Sequence, residues 1–403
     1  MTSLTLPHEE GKESKNILIF STAYHPHIGG AEIAIAEITK RLSSDYNFTL
    51  LTYRFRKTDL PYEVIGKLEV RRLGHGTILD RLFLFPYLAF FSALKIVREK
   101  KIDLMWVVMV SYAGIGAYFL KLIKPKIPFL LTLQEGDPEE HLQFGKLGML
   151  GFWWKRLVTR ADYIQAISTY LADYALKAGA KNKIAIVPNG VEIAKFNAKI
   201  AKSQTKTAKE ISYDSHTVSR VSHYTVITTS RLVNKNGIDI LIRAARELKF
   251  QIPNSKFQIR IVGGGPLELQ LKSLANKLQV EDVIEFAGSV PNNRIYEELA
   301  KADIFVRPSR SEGLGSSFLE AMAAGLPVIG TNVGGIPDFL ANEQTGLFTK
   351  IDDPKDLAEQ IRKLGQDQNL RKRIIDNGRK LVQDRYSWDA IASQMKTIFE
   401  ELL

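Results

Sequence analysis

Two glutamates, Glu312 and Glu320, stand at either end of a glycine-rich segment that leads from a predicted strand into a short predicted helix. Gly313 and Gly315 allow the backbone to come close to a ligand, and the free N–H groups of the next helical turn favour an anion there. A carboxylate in the same place repels a bare phosphate, so we interpret both glutamates as acceptors for sugar hydroxyls. N–H groups that can donate to phosphate, beside carboxylates that can accept from hydroxyls, indicate a pocket for a nucleotide-sugar.

A second candidate lies in the segment 230–237, where a predicted strand ends and a predicted helix begins. Arg231 and Lys235 place two cations at this junction, and such cations can neutralise the charge of a leaving diphosphate. The alternative interpretation is a basic loop exposed to solvent. We predict that Arg231 and Lys235 bind the diphosphate.

A third candidate is the pair Gly29 and Gly30, between the first predicted strand and the first predicted helix. Two glycines at a helix entry can approach a phosphate or a sugar, although an ordinary helix-start turn has the same pattern. The neighbouring His25 and His27 are more typical of exposed loop residues than of metal ligands. We therefore predict no metal site.

The composition is that of a soluble globular protein, with 403 residues, 45% of them hydrophobic and 25% charged, and this length predicts two domains. There is no cysteine, which excludes disulfides, a thiol nucleophile and cysteine metal sites and fits a reducing cytosol. The net charge of +11 leans towards the first half of the chain and indicates phosphate-bearing substrates or an anionic membrane. We find no nucleic-acid-binding motif and predict no nucleic-acid partner.

Two apolar stretches raise the question of membrane contact. Residues 82–97 contain Pro86 and are short for a membrane span, while residues 104–123 divide into a strand-like run and a small-residue helix pattern. We interpret the second stretch as a buried strand and helix. A helix on the membrane surface around residues 81–98 is the alternative for the first, because basic residues follow its aromatic ones.

Strand-like and helix-like segments alternate along the chain in two series. Predicted strands of the first series lie at 16–22, 47–52, 102–109, 129–133, 163–167 and 183–187, and those of the second at 225–230, 257–262, 283–286, 303–306, 327–330 and 346–349. Predicted helices include 238–248, 267–278 and 388–403. Continuous apolar strands separated by helices predict parallel sheets covered on both faces.

The predicted fold class is therefore α/β, with two doubly wound, Rossmann-like domains that face a central cleft. We predict a polar leader at 1–15, an N-terminal domain at 16–195, a linker or insertion at 196–222, a C-terminal domain at 223–385 and a final helix at 386–403 that packs back on the N-terminal domain. Ligands of such sheets bind outside the carboxyl ends of the strands. The candidate segments all follow predicted strands.

The string 312–329, with its two glutamates separated by seven residues and its Gly-Leu-Pro-Val ending, resembles the acidic signature of retaining GT-B glycosyltransferases. The chain looks like a family 4-type member, and the resemblance is densest from residue 230 to about residue 348. It implies that Glu312 contacts the donor sugar near the anomeric carbon and that Glu320 binds the ribose hydroxyls. It also implies that the backbone of Leu314, Gly315 and Ser316 holds the diphosphate.

The chain departs from the family pattern at two places. The family has a lysine five residues after the arginine, whereas this chain has Asn236 there and Lys235 one position earlier. Either Lys235 reaches the diphosphate with its flexible stem or Arg231 carries it alone. After the strand 129–133, Gln134 stands where many relatives have a histidine that touches the donor sugar, and it cannot titrate near neutral pH.

Further donor contacts follow from the resemblance. Gly264 belongs to a glycine-rich turn that borders the donor site, with Pro266 in the first turn of the next helix. Val290 lies where relatives hold the base through backbone groups. Asp137 is a sugar or acceptor contact, or alternatively a turn residue before a proline, and His141 is an alternative to the missing histidine.

The resemblance implies a retaining transfer of a sugar from a nucleoside-diphosphate-sugar to a glycan, a lipid-linked or a small-molecule acceptor. Arg231, Lys235 and Glu312 are the expected catalytic residues, and no metal or other cofactor is expected. The alternatives are a sugar-nucleotide epimerase of the same fold and a non-catalytic sugar-nucleotide-binding or membrane-scaffold protein. We expect a cytoplasmic location, with peripheral contact to an anionic membrane as one option.

Overall fold

The computed structural model describes residues 14–27, 29–77, 80, 84–136, 149–196, 224–251 and 257–403. The predicted leader and the predicted linker lie almost entirely outside the described residues. The candidates Asp137 and His141 also lie outside them.

Two compact units make up the chain. Unit 1 comprises Met1–Thr132, Arg160–Tyr163 and Lys396–Leu403, and unit 2 comprises Leu133–Thr159 and Ile164–Met395. The predicted domain boundaries at residues 195 and 223 stay predictions, because the segment that joins them is not described.

Within the described residues, fourteen strands form two sheets. The strands are β1 (Lys15–Phe20), β2 (Tyr46–Tyr53), β3 (Tyr62–Ile65), β4 (Leu68–Leu73), β5 (Leu104–Val108), β6 (Phe129–Leu133), β7 (Tyr163–Ala166), β8 (Lys183–Ile186), β9 (Tyr224–Thr229), β10 (Phe257–Val262), β11 (Ile284–Gly288), β12 (Ile304–Arg307), β13 (Val328–Thr331) and β14 (Leu347–Thr349).

The first sheet has the strand order β3-β4-β2-β1-β5-β6-β7-β8 and the second has the order β11-β10-β9-β12-β13-β14. Strand β3 pairs antiparallel with β4, whereas β1, β2, β4, β5 and β6 form parallel pairs. Every pair in the second sheet is parallel. The predicted class of two Rossmann-like parallel α/β sheets is confirmed.

The helices of the described residues are α1 (Gly30–Leu42), α2 (Phe85–Glu99), α3 (Tyr112–Ile123), α4 (Met149–Arg160), α5 (Thr169–Lys177), α6 (Ile238–Gln251), α7 (Glu268–Lys277), α8 (Ile295–Leu299), α9 (Ser316–Ala324), α10 (Pro354–Gln366), α11 (Gln368–Arg385) and α12 (Trp388–Leu402). Short 3-10 helices lie at Asn234–Asn236, Asn292–Arg294 and Ile336–Asp338. Pro266 lies before α7 rather than in its first turn, which corrects the prediction.

The twelve predicted strands all exist, but β3 and β4 were not predicted. Strand β3 is largely exposed and lies at the sheet edge, so it needs no apolar run. Strand β4 alternates buried and half-buried residues and includes the buried Arg72. The guanidinium of Arg72 donates to Glu63 and to the carbonyl oxygens of Leu60 and His25, so its charge is compensated inside the fold.

The apolar stretch 104–123 forms strand β5 and helix α3, as predicted. Helices α2 and α3 pack closely, since a methyl group added at Gly116 would lie 2.9 Å from Cβ of Ala89. Across the part of the chain that the structure describes, no helix is both long and apolar enough to cross a bilayer.

An aromatic cluster in unit 1 holds the carboxyl-terminal residues of the chain. The ring of Phe399 lies 5.4 Å from that of Tyr46 and 5.5 Å from that of Trp106, and the Phe399 side chain is fully buried. Beside it, Nζ of Lys396 lies 2.6 Å from Oδ2 of Asp45. The buried ring, rather than this exposed ion pair, supplies most of the attachment.

Replacing Phe399 by alanine should lower the free energy of unfolding by about 3–5 kcal/mol, because a large buried ring leaves a cavity. Urea unfolding followed by tryptophan fluorescence measures this, with Trp106 as a reporter beside the cavity. Phe91→Ala is the matched control, since that ring is 62% exposed and its loss should change stability by less than about 0.5 kcal/mol. Equal effects of the two substitutions would contradict the assigned burial.

Candidate active site

The candidate segments of unit 2 follow the carboxyl ends of adjacent parallel strands, which is where open α/β sheets bind ligands. Residues 230–237 follow β9, Gly264 follows β10, Val290 follows β11 and residues 308–315 follow β12. Because β11, β10, β9 and β12 are neighbours in that order, these four loops leave the same edge of the sheet.

Gly315 begins the helix on which the site is built. It is the N-cap of α9 and has φ +93° and ψ 52°, a left-handed conformation that favours glycine. A Cβ at this position would also lie 2.9 Å from the ring of Phe318. The N–H groups at Ser316 and Ser317 therefore stand at the start of a nine-residue helix, with the backbone of Leu314 leading into it.

Glu312 is paired with a residue that the sequence analysis did not predict. Its Oε2 accepts a hydrogen bond from Nη2 of Arg307, and each side chain is only 12% exposed. Arg307 also donates through Nη1 to Oγ of Ser317 at 2.6 Å and through Nη2 to Oδ1 of Asn236 at 3.1 Å. A charged residue at the end of the buried strand β12 was the signal that could have revealed it.

Glu320 is half-buried on α9. Burial raises the pKa of Glu320 to about 7, and the positive charges of Arg307 and Lys195 offset part of that rise. Arg307 therefore acts electrostatically on Glu320 as well as on Glu312. The two predicted glutamates consequently share one cation, although only Glu312 touches it.

The two predicted cations lie in different environments. Arg231 is exposed, whereas Lys235 is half-buried and its Nζ donates to the carbonyl oxygen of Gly136 at 2.8 Å. A methyl group added at Gly136 would lie 3.3 Å from Nζ of Lys235 and 3.8 Å from Oε1 of Glu312. The structure therefore brings Lys235, Gly136 and Glu312 together.

Arg310 fixes the loop that carries Lys235 and Asn236. Its guanidinium pairs with both carboxylate oxygens of Asp239 at 2.9 and 2.7 Å and donates to the carbonyl oxygen of Asn234 at 2.7 Å. Between these residues, Gly237 has φ +66°, and a Cβ there would lie 1.9 Å from the carbonyl oxygen of Pro308. The loop after β9 is thus held directly against the loop after β12.

Gln134 lies in the turn after β6, and its Oε1 accepts a hydrogen bond from Nδ2 of Asn189 at 3.1 Å. The backbone of the same turn contacts the Glu312 segment, because a Cβ at Gly313 would lie 2.4 Å from the carbonyl oxygen of Glu135. The turn therefore reaches the site through its backbone. The next candidate, Asp137, is not described.

The two remaining unit 2 candidates lie beside the start of the Arg231 loop. The carbonyl oxygen of Gly264 accepts from the N–H of Leu232 at 3.0 Å. A Cβ on Gly264 would lie 2.6 Å from Oγ of Ser289, the neighbour of the half-exposed Val290. Gly264 therefore connects the Arg231 loop with the segment that ends in Val290.

Gly29 and Gly30 belong to unit 1, where Gly29 caps α1. The N–H of Gly29 donates to Oε2 of Glu32 at 2.6 Å, so a carboxylate already occupies this helix start. Their predicted contact with the donor stays a prediction. Among the described residues, no three His, Asp or Glu side chains form a group that could hold a metal ion.

The raised pKa of Glu320 makes stability depend on pH. The folded value of about 7 lies above the ordinary 4.5, so the folded chain binds this proton more tightly and its stability falls as pH rises from about 4.5 to about 7. Because Glu320→Gln removes this effect, its unfolding free energy relative to wild type should rise by about 1–3 kcal/mol between pH 5 and pH 8.

Urea unfolding at the two pH values tests this expectation. Glu281→Gln is the control, because Glu281 is an exposed glutamate in the same unit, and it should show no such change. A Glu320→Gln variant whose stability relative to wild type is the same at both pH values would contradict the assigned burial.

Two family models match the chain. Residues 28–195 match the model described as Glycosyltransferase Family 4, and residues 214–381 match the model described as Glycosyl transferases group 1. Together these matches include all described candidates of the site on unit 2 and both glycines of unit 1.

A relative of similar length is an uncharacterized glycosyltransferase, MJ1178, of Methanocaldococcus jannaschii. It is 27% identical over 388 residues, which cover 96% of this chain and 98% of the relative. The similarity therefore extends over both units.

Two solved structures have a similar fold. Sucrose-phosphate synthase from Thermosynechococcus elongatus has a TM-score of 0.78 at 21% identity, covering 96% of this chain and 99% of its own. Anabaena HepE, in complex with UDP and glucose, has a TM-score of 0.73 at 19% identity, covering 96% and 100%. With the two family matches, these similarities show that the chain belongs to the family 4 type of glycosyltransferases and has the GT-B fold.

Proposed function

We propose that the chain is a retaining glycosyltransferase whose nucleoside-diphosphate-sugar donor binds at the carboxyl edge of the six-stranded sheet. The observation that supports this most directly is the arrangement around the start of α9. There Glu312, Lys235 and Arg307 surround a helix N-terminus, and Glu320 follows on the same helix. Groups that accept hydrogen bonds from sugar hydroxyls and groups that donate hydrogen bonds to phosphate thus lie within one small region of unit 2.

In this proposal each group binds the part of the donor that suits its chemistry. The N–H groups of Leu314, Gly315 and Ser316 bind the diphosphate, because a helix start favours anions. Glu320 accepts hydrogen bonds from the ribose hydroxyls, and Glu312 accepts them from the hydroxyls of the transferred sugar. Complexes of the similar Anabaena HepE with UDP and glucose support a nucleotide-sugar donor.

The remaining candidates are assigned to other parts of the donor or to the acceptor. Gly264 borders the donor site, Val290 lies beside the base, and Gln134 binds the sugar through its amide. Asp137, Gly29 and Gly30 are proposed as further sugar, phosphate or acceptor contacts. Neither a metal ion nor another cofactor takes part in the proposed reaction.

The proposed chemistry is electrostatic. The bond between the anomeric carbon and the diphosphate oxygen breaks, and the acceptor hydroxyl oxygen bonds to that carbon on the same face. The acceptor proton passes to an oxygen of the departing diphosphate. Arg231 and Lys235 stabilise the negative charge that develops on the diphosphate as it departs. This lowers the free energy of the transition state.

A thermal-shift panel of UDP-, GDP- and ADP-sugars tests the donor site. One nucleotide class should raise the melting temperature of wild type, because a ligand that binds only the folded state stabilises it. Glu320→Ala should lose most of that shift, whereas the exposed control Glu281→Ala should keep it. No shift in the folded wild type with any of the three classes would contradict the proposal.

The reaction outcome is tested separately, with the donor that the panel selects and a series of glycan and lipid-linked acceptors. Proton NMR of the product should show the donor's own anomeric configuration, as retention requires. A product of opposite configuration would overturn the retaining assignment. Conversion of the donor sugar without consumption of an acceptor would favour the epimerase alternative.

We also propose that unit 1 contacts an anionic membrane, where a lipid-linked acceptor would be available. On α2, Tyr87 is 61% and Phe91 is 62% exposed, and on α3, Leu122 and Ile123 are 47% and 55% exposed. Helix α2 also carries exposed basic residues, such as Arg98 in its last turn. Exposed apolar side chains with neighbouring cations are typical of surfaces that insert shallowly into lipid.

Flotation with vesicles of phosphatidylglycerol and phosphatidylcholine at low salt tests this surface. Wild type should bind, and Tyr87→Ser with Phe91→Ser should weaken binding at least about 10-fold, since two large apolar side chains lose their burial. Phe250→Ser is the control, because that ring is 72% exposed in unit 2. Absence of wild-type binding would refute the membrane contact and leave the donor-site proposal unaffected.

A further inference from the structure

Arg307 lies at the centre of the proposed donor site, although no motif in the sequence predicted a role for it. It ends β12, and its guanidinium joins three elements through Asn236 after β9, Glu312 before α9 and Ser317 on α9. The side chain is 12% exposed. A cation held this firmly near a helix start is pre-organised to bind an anion.

Asn236 shows how the cation is positioned. Its side chain is almost fully buried, and its Nδ2 donates to the carbonyl oxygen of Arg231 at 2.7 Å while its Oδ1 accepts from Arg307. One neutral amide therefore connects the Arg307 guanidinium with the backbone of Arg231. A lysine at position 236 would place its ammonium against the guanidinium, and like charges at that distance repel.

The Arg307 guanidinium has more N–H hydrogen-bond donors than its contacts within the protein use. Three hydrogen bonds reach Asn236, Glu312 and Ser317, whereas a guanidinium has five N–H donors. Its Nε is buried and, among the described residues, has no hydrogen-bond partner. Within the part of the chain that the structure describes, Nη1 donates only to Ser317, so its second N–H is left for a phosphate oxygen, and a charge-assisted hydrogen bond of this kind is strong.

Charge balance favours the same assignment. Lys235 already donates to the carbonyl oxygen of Gly136, and Arg231 is exposed on the loop. Arg307 forms an ion pair with Glu312. Glu312 adds its negative charge to that of an entering diphosphate, so Arg231 and Lys235 alone do not balance the region, and a half-buried guanidinium is less screened by solvent.

We propose that Arg307 binds the donor diphosphate and supplies the cation that position 236 lacks, while Asn236 and Ser317 orient its guanidinium. The inference rests on the proposed donor site and names a residue that determines its affinity. It predicts that the positive charge can be moved from position 307 to position 236 without loss of the site.

Calorimetric titration with UDP, GDP and ADP, each beside its free nucleoside, tests the assignment in wild type and in Arg307→Met. The variant should bind the preferred nucleoside diphosphate about 10- to 100-fold more weakly, as expected for charge-assisted hydrogen bonds, and the nucleoside equally well. Asn236→Lys combined with Arg307→Met should restore diphosphate affinity to within about 3-fold of wild type.

The outcomes separate the two proposals. Equal loss of nucleoside and nucleoside diphosphate in Arg307→Met would show that Arg307 only supports the fold, and unchanged diphosphate affinity would also overturn the inference. If Arg307→Met does not fold, Arg307→Lys keeps the charge without the fork and should weaken only the diphosphate, by about 3- to 10-fold. Absence of binding of all three diphosphates to folded wild type would instead refute the donor site itself.

Discussion

Direct contact between loop backbones is the constraint on which the carboxyl edge of the six-stranded sheet depends. A residue with a Cβ atom does not fit where these loops cross. Gly334 shows this most clearly. It has φ +54°, and a Cβ there would lie 1.7 Å from the carbonyl oxygen of Glu312. The loop after β13 therefore supports the Glu312 segment without any intervening side chain, and the carboxylate position is set by backbone geometry.

Charge is organised around the same edge. Arg310 neutralises Asp239 and fixes the loop after β9, whereas Arg307 faces Glu312 and Ser317. Arg310 thus stabilises the fold of the loop, and Arg307 lies among groups that can contact a ligand. The difference lies in their partners, because a bidentate pair with Asp239 leaves Arg310 little capacity for an anion.

The environments of the two glutamates also differ in a way that suits separate roles. Glu312 is compensated directly by a guanidinium, whereas burial raises the pKa of Glu320 to about 7. A carboxyl group that titrates near neutral pH can bind a hydroxyl in either protonation state. If the nucleotide-sugar binds the ionised Glu320 carboxylate more tightly, its binding favours loss of the Glu320 proton.

Much of the fold could be predicted from sequence because both sheets are built from continuous apolar strands. Strand β3 could not, since it is exposed and short, and β4 carries charges that the fold compensates locally. The acidic segment was recognisable because its residues are contiguous. The partners of Lys235 and Asn236 were not, because Gly136 and Arg307 lie 99 and 71 positions away.

A crystal structure with the nucleoside diphosphate that stabilises the chain most would test the central claim most directly. We expect the diphosphate within hydrogen-bonding distance of the N–H groups at Leu314–Ser316 and of Arg307, with the ribose hydroxyls on Glu320. A nucleotide bound elsewhere on the chain, or at this edge with its diphosphate turned away from the start of α9, would contradict it.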